Sequence, residues 1–284
     1  MRPALGVLNH DRDIAGLKYV YPVISRRAAG LSVGINFNPN NACNWRCIYC
    51  QVPDLQYGNA PEIDLDILER ELRFFLDYVQ HGDFCRDFQI APNQQSIKDI
   101  AVSGNGEPTS LNRFAEAIRL IGMIGEQSGI FPASRFVVIS NGSLIHRASV
   151  QAGLKQLAHF RGELWFKLDS ASEAGRKLIN NTGQSQRKLI ENLEIACQLC
   201  PTKLQTCMLN FRRQLWTDSE KQAYLQLLTE LRQKKIPIQK IMLYSIARLS
   251  HQPEAGELQK TPKQEMQSFA TQIAALGYPV SVSD

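Results

Sequence analysis

Leu31-Ser32-Val33-Gly34-Ile35-Asn36-Phe37-Asn38-Pro39-Asn40-Asn41-Ala42-Cys43-Asn44-Trp45-Arg46-Cys47-Ile48-Tyr49-Cys50 joins an apolar run to three closely spaced cysteines through a turn-forming Asn-Pro-Asn-Asn. Val33 and Ile35 favour a pleated backbone and Pro39 cannot donate to a ladder, so a strand over residues 31–37 ends just before the thiols. The cysteines therefore occupy a loop at the carboxyl end of a strand. The elements downstream decide whether that strand belongs to a parallel sheet.

Residues 64–78 carry Leu65, Leu68, Leu72, Phe75 and Leu76 at helical spacing, the stripe of an amphipathic helix. A strand over 97–102 ends in Ser103-Gly104-Asn105-Gly106, and the succession then repeats. Helices are predicted over 111–127, 144–160, 186–199 and 219–234, and strands over 135–139, 164–168, 204–209 and 238–246. Thr261-Pro262 opens a last helix reaching residue 276, and 278–282 adds a short final strand.

Strands alternating with helices of this length pair in parallel through right-handed crossovers. The fold class is α/β, an open, partial (β/α)6 TIM-like barrel over residues 31–284, with residues 1–30 as an N-terminal extension packed on it. A doubly wound flat sheet is the competing architecture. Polar and glycine residues after nearly every strand favour the barrel, whose strand ends converge on one mouth. Residues 13–30, with Tyr19, Tyr21, Pro22, Ser25, Arg26 and Arg27, have no clean period.

The 284 residues are 44% hydrophobic and 21% charged, the profile of a globular protein with a full core. No leader pattern opens the sequence and no apolar run is long enough to cross a bilayer, so a cytoplasmic enzyme is expected. Seven cysteines, an odd number, argue against a disulfide framework and leave thiols for metal. A formal charge of +5, from 32 basic and 27 acidic side chains, allows an anionic partner without requiring one. No dense Lys/Arg stripe marks a nucleic-acid surface.

Three thiolates in one loop can hold a four-iron cluster, which normally takes four cysteines, and leave its fourth iron open to a ligand that is not protein. Cys43, Cys47 and Cys50 are the metal candidates. A structural zinc knuckle is the plainer alternative, but it needs a fourth protein ligand, and only the distant Cys85 or His81 are offered. Gly104-Asn105-Gly106-Glu107-Pro108-Thr109 lets backbone approach a ligand and supplies an acceptor in Glu107, although it also serves as a turn before a helix. Ser140 and Asn141 combine a turn and cap with polar groups at the mouth. Lys167 and Asp169 share one strand face and require each other or a polar ligand, as an internal salt bridge or as contacts to ribose or substrate. Arg248 suits a carboxylate or phosphate; Gln205, Asn210, Tyr244 and Ser245 are further mouth residues. Cys197, Cys200 and Cys207 read as structural thiols.

The Cys43, Cys47, Cys50 spacing, with Tyr49 beside the last thiol, resembles the signature of the radical S-adenosylmethionine (radical SAM) superfamily. The resemblance implies a [4Fe-4S] cluster whose free iron is chelated by S-adenosylmethionine, reductive cleavage of the sulfonium bond, and hydrogen abstraction from substrate by a 5'-deoxyadenosyl radical. It implies cofactor contacts from Tyr49, Gly104, Asn105, Gly106, Glu107, Ser140, Asn141 and Asp169, and catalytic roles for Lys167, Asp169 and Arg248. An electron donor such as flavodoxin or ferredoxin is implied as partner. Residues 13–36, Gln51-Val52 and Tyr244-Ser245-Ile246-Ala247-Arg248 are similar to the branch containing wyosine synthase-like oxidoreductases, whose head members modify a transfer RNA base. Those members bind an additional cluster through upstream cysteines, and no cysteine precedes Cys43. That absence argues against the wyosine reaction itself, and the resemblance leaves the substrate unidentified, a transfer RNA base or a small metabolite. An activase acting on a partner protein, and a non-catalytic iron-sulfur or zinc protein, are the alternatives.

Overall fold

A computed structural model describes residues 5–6, 12, 14–25, 30–212 and 216–283. Asp13, Arg26 and Arg27 lie outside the described residues. Its main element is one eight-stranded sheet. The strands are β1 (Val20–Ser25), β2 (Gly30–Ile35), β3 (Ile97–Val102), β4 (Arg135–Ser140), β5 (Glu163–Lys167), β6 (Thr202–Cys207), β7 (Ile238–Tyr244) and β8 (Val280–Ser283). Their spatial order follows their order in the chain. A doubly wound sheet requires that order to reverse at a switch point. Here nothing reverses, and the sheet curls into an open half-barrel with β1 and β8 as its free edges.

All neighbours from β2 to β8 pair in parallel, whereas β1 is antiparallel to β2, with Val20 opposite Ile35 and Ser25 opposite Gly30. The aperiodic 13–30 segment gave no sign of this strand. Its residues are nearly all buried, so period-two alternation is lost.

The crossover helices are α1 (Leu65–His81), α2 (Phe114–Gln127), α3 (Ala148–His159), α4 (Glu173–Asn180), α5 (Gln186–Leu199), α6 (Asp218–Gln233) and α7 (Lys263–Ala275). In α1 the predicted stripe is the buried one: Leu68, Leu72, Phe75 and Leu76 face the sheet. Asp64 caps it by accepting from the amides of Asp66 and Ile67. The short α4 was not anticipated, because it lies between a strand and α5 without an apolar stripe of its own.

Alternation along the strands separates two environments. Leu31, Val33, Ile35, Ile100, Val102, Phe136, Val138, Leu164, Phe166, Leu204, Ile241 and Leu243 join the core shared with the helices. On the other face Ala101, Val137 and Trp165 form a small apolar floor with Ile139 and Met242. Below the floor, Glu163 pairs with Lys203 and accepts from Trp165 Nε1. The inner face becomes polar towards the carboxyl ends of the strands, where the site lies.

Candidate active site

The cysteine loop is tied down from three directions. Ile48 N donates to Ile179 O (2.8 Å) and Asn181 Nδ2 to Arg46 O (2.8 Å), fixing it to the end of α4. Ser250 Oγ donates to Ile48 O (2.8 Å) and Cys50 O (3.0 Å), and His251 N donates to Cys50 O (2.9 Å). Gly58 N reaches Cys43 O (3.0 Å) and Asn38 Nδ2 reaches Ala42 O (2.9 Å). Arg46 and Glu254 add a bidentate pair at 2.8 Å. With so many backbone groups satisfied, the thiols are held rather than merely near one another.

Cys43, Cys47 and Cys50 line a common cavity of about 280 Å³. Burial pushes the Cys43 and Cys47 thiols up to about 12 and raises that of Cys50. A positively charged metal group reverses this, because thiolate is the ligating form. No fourth Cys or His lines the cavity among the described residues. No three His, Cys, Asp or Glu side chains among the described residues are grouped closely enough to hold a single metal ion, so three thiols lining one cavity without a fourth Cys or His suit a larger cluster with one coordination position open rather than a closed tetrahedral ion.

The predicted site residues sort into two kinds. Gly104, Asn105, Gly106, Glu107, Asn141, Tyr49, Lys167 and Arg248 line the same cavity as the thiols. Ser140 and Asp169 do not, and each is almost fully buried. Ser140 Oγ donates to Glu107 Oε1 (2.6 Å) and accepts from Gly142 N (3.0 Å). Asp169 accepts from Cys207 N (2.9 Å) on Oδ1, and from Tyr49 OH (2.5 Å) and Asn180 Nδ2 (2.7 Å) on Oδ2. Lys167 Nζ is 3.8 Å from that oxygen and 3.2 Å from Tyr244 OH, and it lies 5.0 Å from the Tyr49 ring centroid. Burial lowers the Lys167 pKa, while Asp169 and the neighbouring tyrosine and cysteine groups raise it, and the net direction is up. The lysine is therefore charged in the folded protein.

Gly104 and Gly106 are required for packing. A Cβ on Gly104 would fall 2.3 Å from Asn36 Oδ1, and one on Gly106 only 1.9 Å from Ala42 O. The motif thus docks directly against the end of β2 and the cysteine loop. Glu107 is equally engaged: Oε1 accepts from Thr109 N, Thr109 Oγ1 and Ser140 Oγ, and Oε2 from Asn141 N (2.7 Å). Burial raises its pKa against these hydrogen bonds. One site on Oε2 stays open, since each carboxylate oxygen accepts about two bonds.

Asn141 Nδ2 donates to Asn44 Oδ1 (2.9 Å), linking the end of β4 to the cysteine loop. Asn105 Oδ1 and Gln205 Nε2, both of residues on the cavity wall, are buried without a hydrogen-bond partner among the described residues. An unmet acceptor and an unmet donor on residues of one cavity wall call for a polar ligand. Arg248 Nη1 donates to Gln51 Oε1 (3.5 Å) at the rim.

Asn180 was not foreseen. Its side chain donates to Cys47 Sγ (3.2 Å) as well as to Asp169, joining α4 to a thiol 133 residues earlier. An asparagine at a helix end gives no sequence signal for such a role. Cys207 is buried with Ile48, Ile179 and Leu209, Cys200 lies in the main core, and neither lines the cavity. Cys197 packs against that core.

A half-barrel with three cysteines after its first parallel strand defines a class, and comparison identifies it. The radical SAM superfamily profile matches residues 37–214, and this chain belongs to that superfamily. Members of that superfamily use a [4Fe-4S] cluster and S-adenosylmethionine. A UPF0026 protein of Helicobacter pylori is 27% identical over 136 residues, which is 48% of this chain and 38% of that protein. The chain thus matches well under half of that relative's length. A radical SAM methyltransferase from Sphaerobacter thermophilus superposes with a TM-score of 0.57 at 14% identity, covering 93% of this chain and 68% of its own. Spore photoproduct lyase gives 0.57 at 12% identity over 99% of this chain and 82% of its own. At such identity these structures support the fold. No helix among the described residues is long and apolar enough to cross a membrane.

Proposed function

We propose that this protein cleaves S-adenosylmethionine reductively and abstracts a hydrogen atom from a second substrate, which enters beside the cysteine loop. The observation that carries this reading is a single cavity lined by the three cysteines and by Asn105 and Gln205, whose Oδ1 and Nε2 have no hydrogen-bond partner among the described residues. Cys43, Cys47 and Cys50 would hold the cluster. When bound, the cluster and S-adenosylmethionine supply one-electron cleavage of the sulfonium and the hydrogen abstraction coupled to it.

The residues of the chain divide that work. Asn105, Asn141 and the open acceptor site of Glu107 Oε2 are the polar contacts for the amino-acid end of the cofactor. Gly104 and Gly106 let that backbone lie against the thiol loop. Tyr49 contributes its ring to the wall while its hydroxyl is anchored on Asp169. Ser140 and Asp169 are positioning residues, since Ser140 orients Glu107, and Asp169 orients Tyr49, Asn180 and Lys167. Lys167 keeps a fixed positive charge in the cavity, and Arg248 guards the entrance towards the second substrate. The low apolar floor of Ala101, Val137 and Trp165 excludes water from beneath. The electron is delivered by a low-potential donor of the flavodoxin or ferredoxin kind.

The test is anaerobic reconstitution with iron and sulfide, then addition of dithionite and S-adenosylmethionine, with 5'-deoxyadenosine as the readout. Its appearance in the wild type and not in Cys47→Ala supports the proposal. A protein fully loaded with iron that leaves S-adenosylmethionine intact refutes it.

A further inference from the structure

A second and larger cavity, about 990 Å³, opens beside the first and shares Arg12, Gln51, Asn105 and Arg248 with it. Its wall carries four permanently charged cations, Arg12, Lys18, Arg248 and Lys260, together with His251. No Asp or Glu lines it among the described residues.

The cations are held in place by the wall itself. The Arg12 guanidinium lies 5.3 Å from the Tyr21 ring centroid, and Lys18 Nζ lies 5.1 Å from that of Tyr19. Arg12 Nε is buried without an acceptor among the described residues. A concave surface of one sign focuses its field on whatever enters. S-adenosylmethionine does not match it, because sulfonium and ammonium outweigh one carboxylate and leave a net positive charge. A single carboxylate offers one negative charge to this wall, whereas a phosphate brings close to two negative charges and three acceptor oxygens.

We infer that the larger cavity receives a phosphate-bearing substrate, with Arg12, Lys18, Arg248 and Lys260 as its anion-binding wall. The inference rests on the reading that S-adenosylmethionine is cleaved in the adjoining cavity. It identifies the second substrate by charge and leaves its source, small metabolite or nucleic acid, to the experiment.

Titration calorimetry on the reconstituted protein would compare ribose 5-phosphate, ribose, succinate and a short single-stranded RNA. Ribose 5-phosphate or the RNA binds, and ribose and succinate bind about tenfold more weakly or worse. Tight RNA binding that falls steeply with salt assigns the phosphate to a polymer, and preference for ribose 5-phosphate assigns it to a metabolite. The Lys18→Gln, Lys260→Gln double variant weakens binding by about tenfold, while the Lys→Arg pair at the same positions retains it, which separates charge from folding. Absence of binding by both phosphate ligands, equal binding of succinate, or wild-type affinity in the Gln variant overturns the inference. Cleavage of S-adenosylmethionine by the wild type without added substrate is measured separately. Its failure removes the reading of the smaller cavity, and the binding comparison still decides the charge of the ligand.

Discussion

Glu107 and Arg12 look into the same cavity but are held in opposite ways. Glu107 meets four donors from three residues of its own chain, and one of these, Asn141, is tied in turn to Asn44 of the cysteine loop. Arg12 rests on an aromatic ring and has a buried nitrogen without an acceptor among the described residues. One side of the mouth is closed by internal bonds and serves as a mould. The other is lined by cations, with no carboxylate among its described residues, and is suited to an anion that binds there. A wall held in shape largely by its own bonds suits a cofactor that binds the same way every time, and a less bonded one suits the substrate that differs between relatives.

The sharpest break on the internally bonded side is Cys47→Ala, which should remove bound iron and 5'-deoxyadenosine formation together, measured as iron per chain and by chromatography. Retention of both would transfer the metal elsewhere. Gly106→Ala comes next, since its new methyl would collide with Ala42 O; a loss of about 1–3 kcal/mol in urea unfolding is expected. A neutral result would mean that the motif is not clamped to the thiol loop.

Glu107→Gln turns an acceptor into a donor facing Ser140 or Asn141, and should cost about 1–3 kcal/mol for the group left unpaired. Its S-adenosylmethionine affinity, read by equilibrium dialysis, should fall as well, whereas a merely structural Glu107 would change stability alone.

Asn180→Ala removes the N–H directed at Cys47 Sγ. Hydrogen bonds to cluster sulfurs raise the potential, so a downward shift is expected. A bond of about 1 kcal/mol corresponds to roughly 40 mV for one electron, within reach of a spectroscopic redox titration. An unchanged potential would leave Asn180 as packing. The smallest effect belongs to Arg46→Ala, whose partly exposed pair with Glu254 is worth about 1 kcal/mol or less. A larger drop in thermal midpoint would reveal that the pair also fixes the loop.

The barrel was legible because its crossover helices and parallel strands differ in period, and because turn residues punctuate each change. The prediction of 97–102 coincides with β3 and that of 186–199 with α5. β1 escaped because a strand buried on both faces has no alternation to read. The site was legible wherever chemistry is local, as in the cysteine loop and the turn over 104–107. It was not legible where a side chain reaches across the fold. Asp169 could be placed on a strand end, but that its oxygens belong to Tyr49, Asn180 and Cys207 depends on elements from four parts of the chain. Arg12 drew no reading at all from the sequence, and nothing in its neighbours links it to Arg248.

The bonds from Ser250 and His251 to the cysteine loop span about two hundred residues. Contacts that distant close late, after nearer elements have paired. During synthesis, then, the thiol loop gains these bonds only once residues 250 and 251 have emerged and docked.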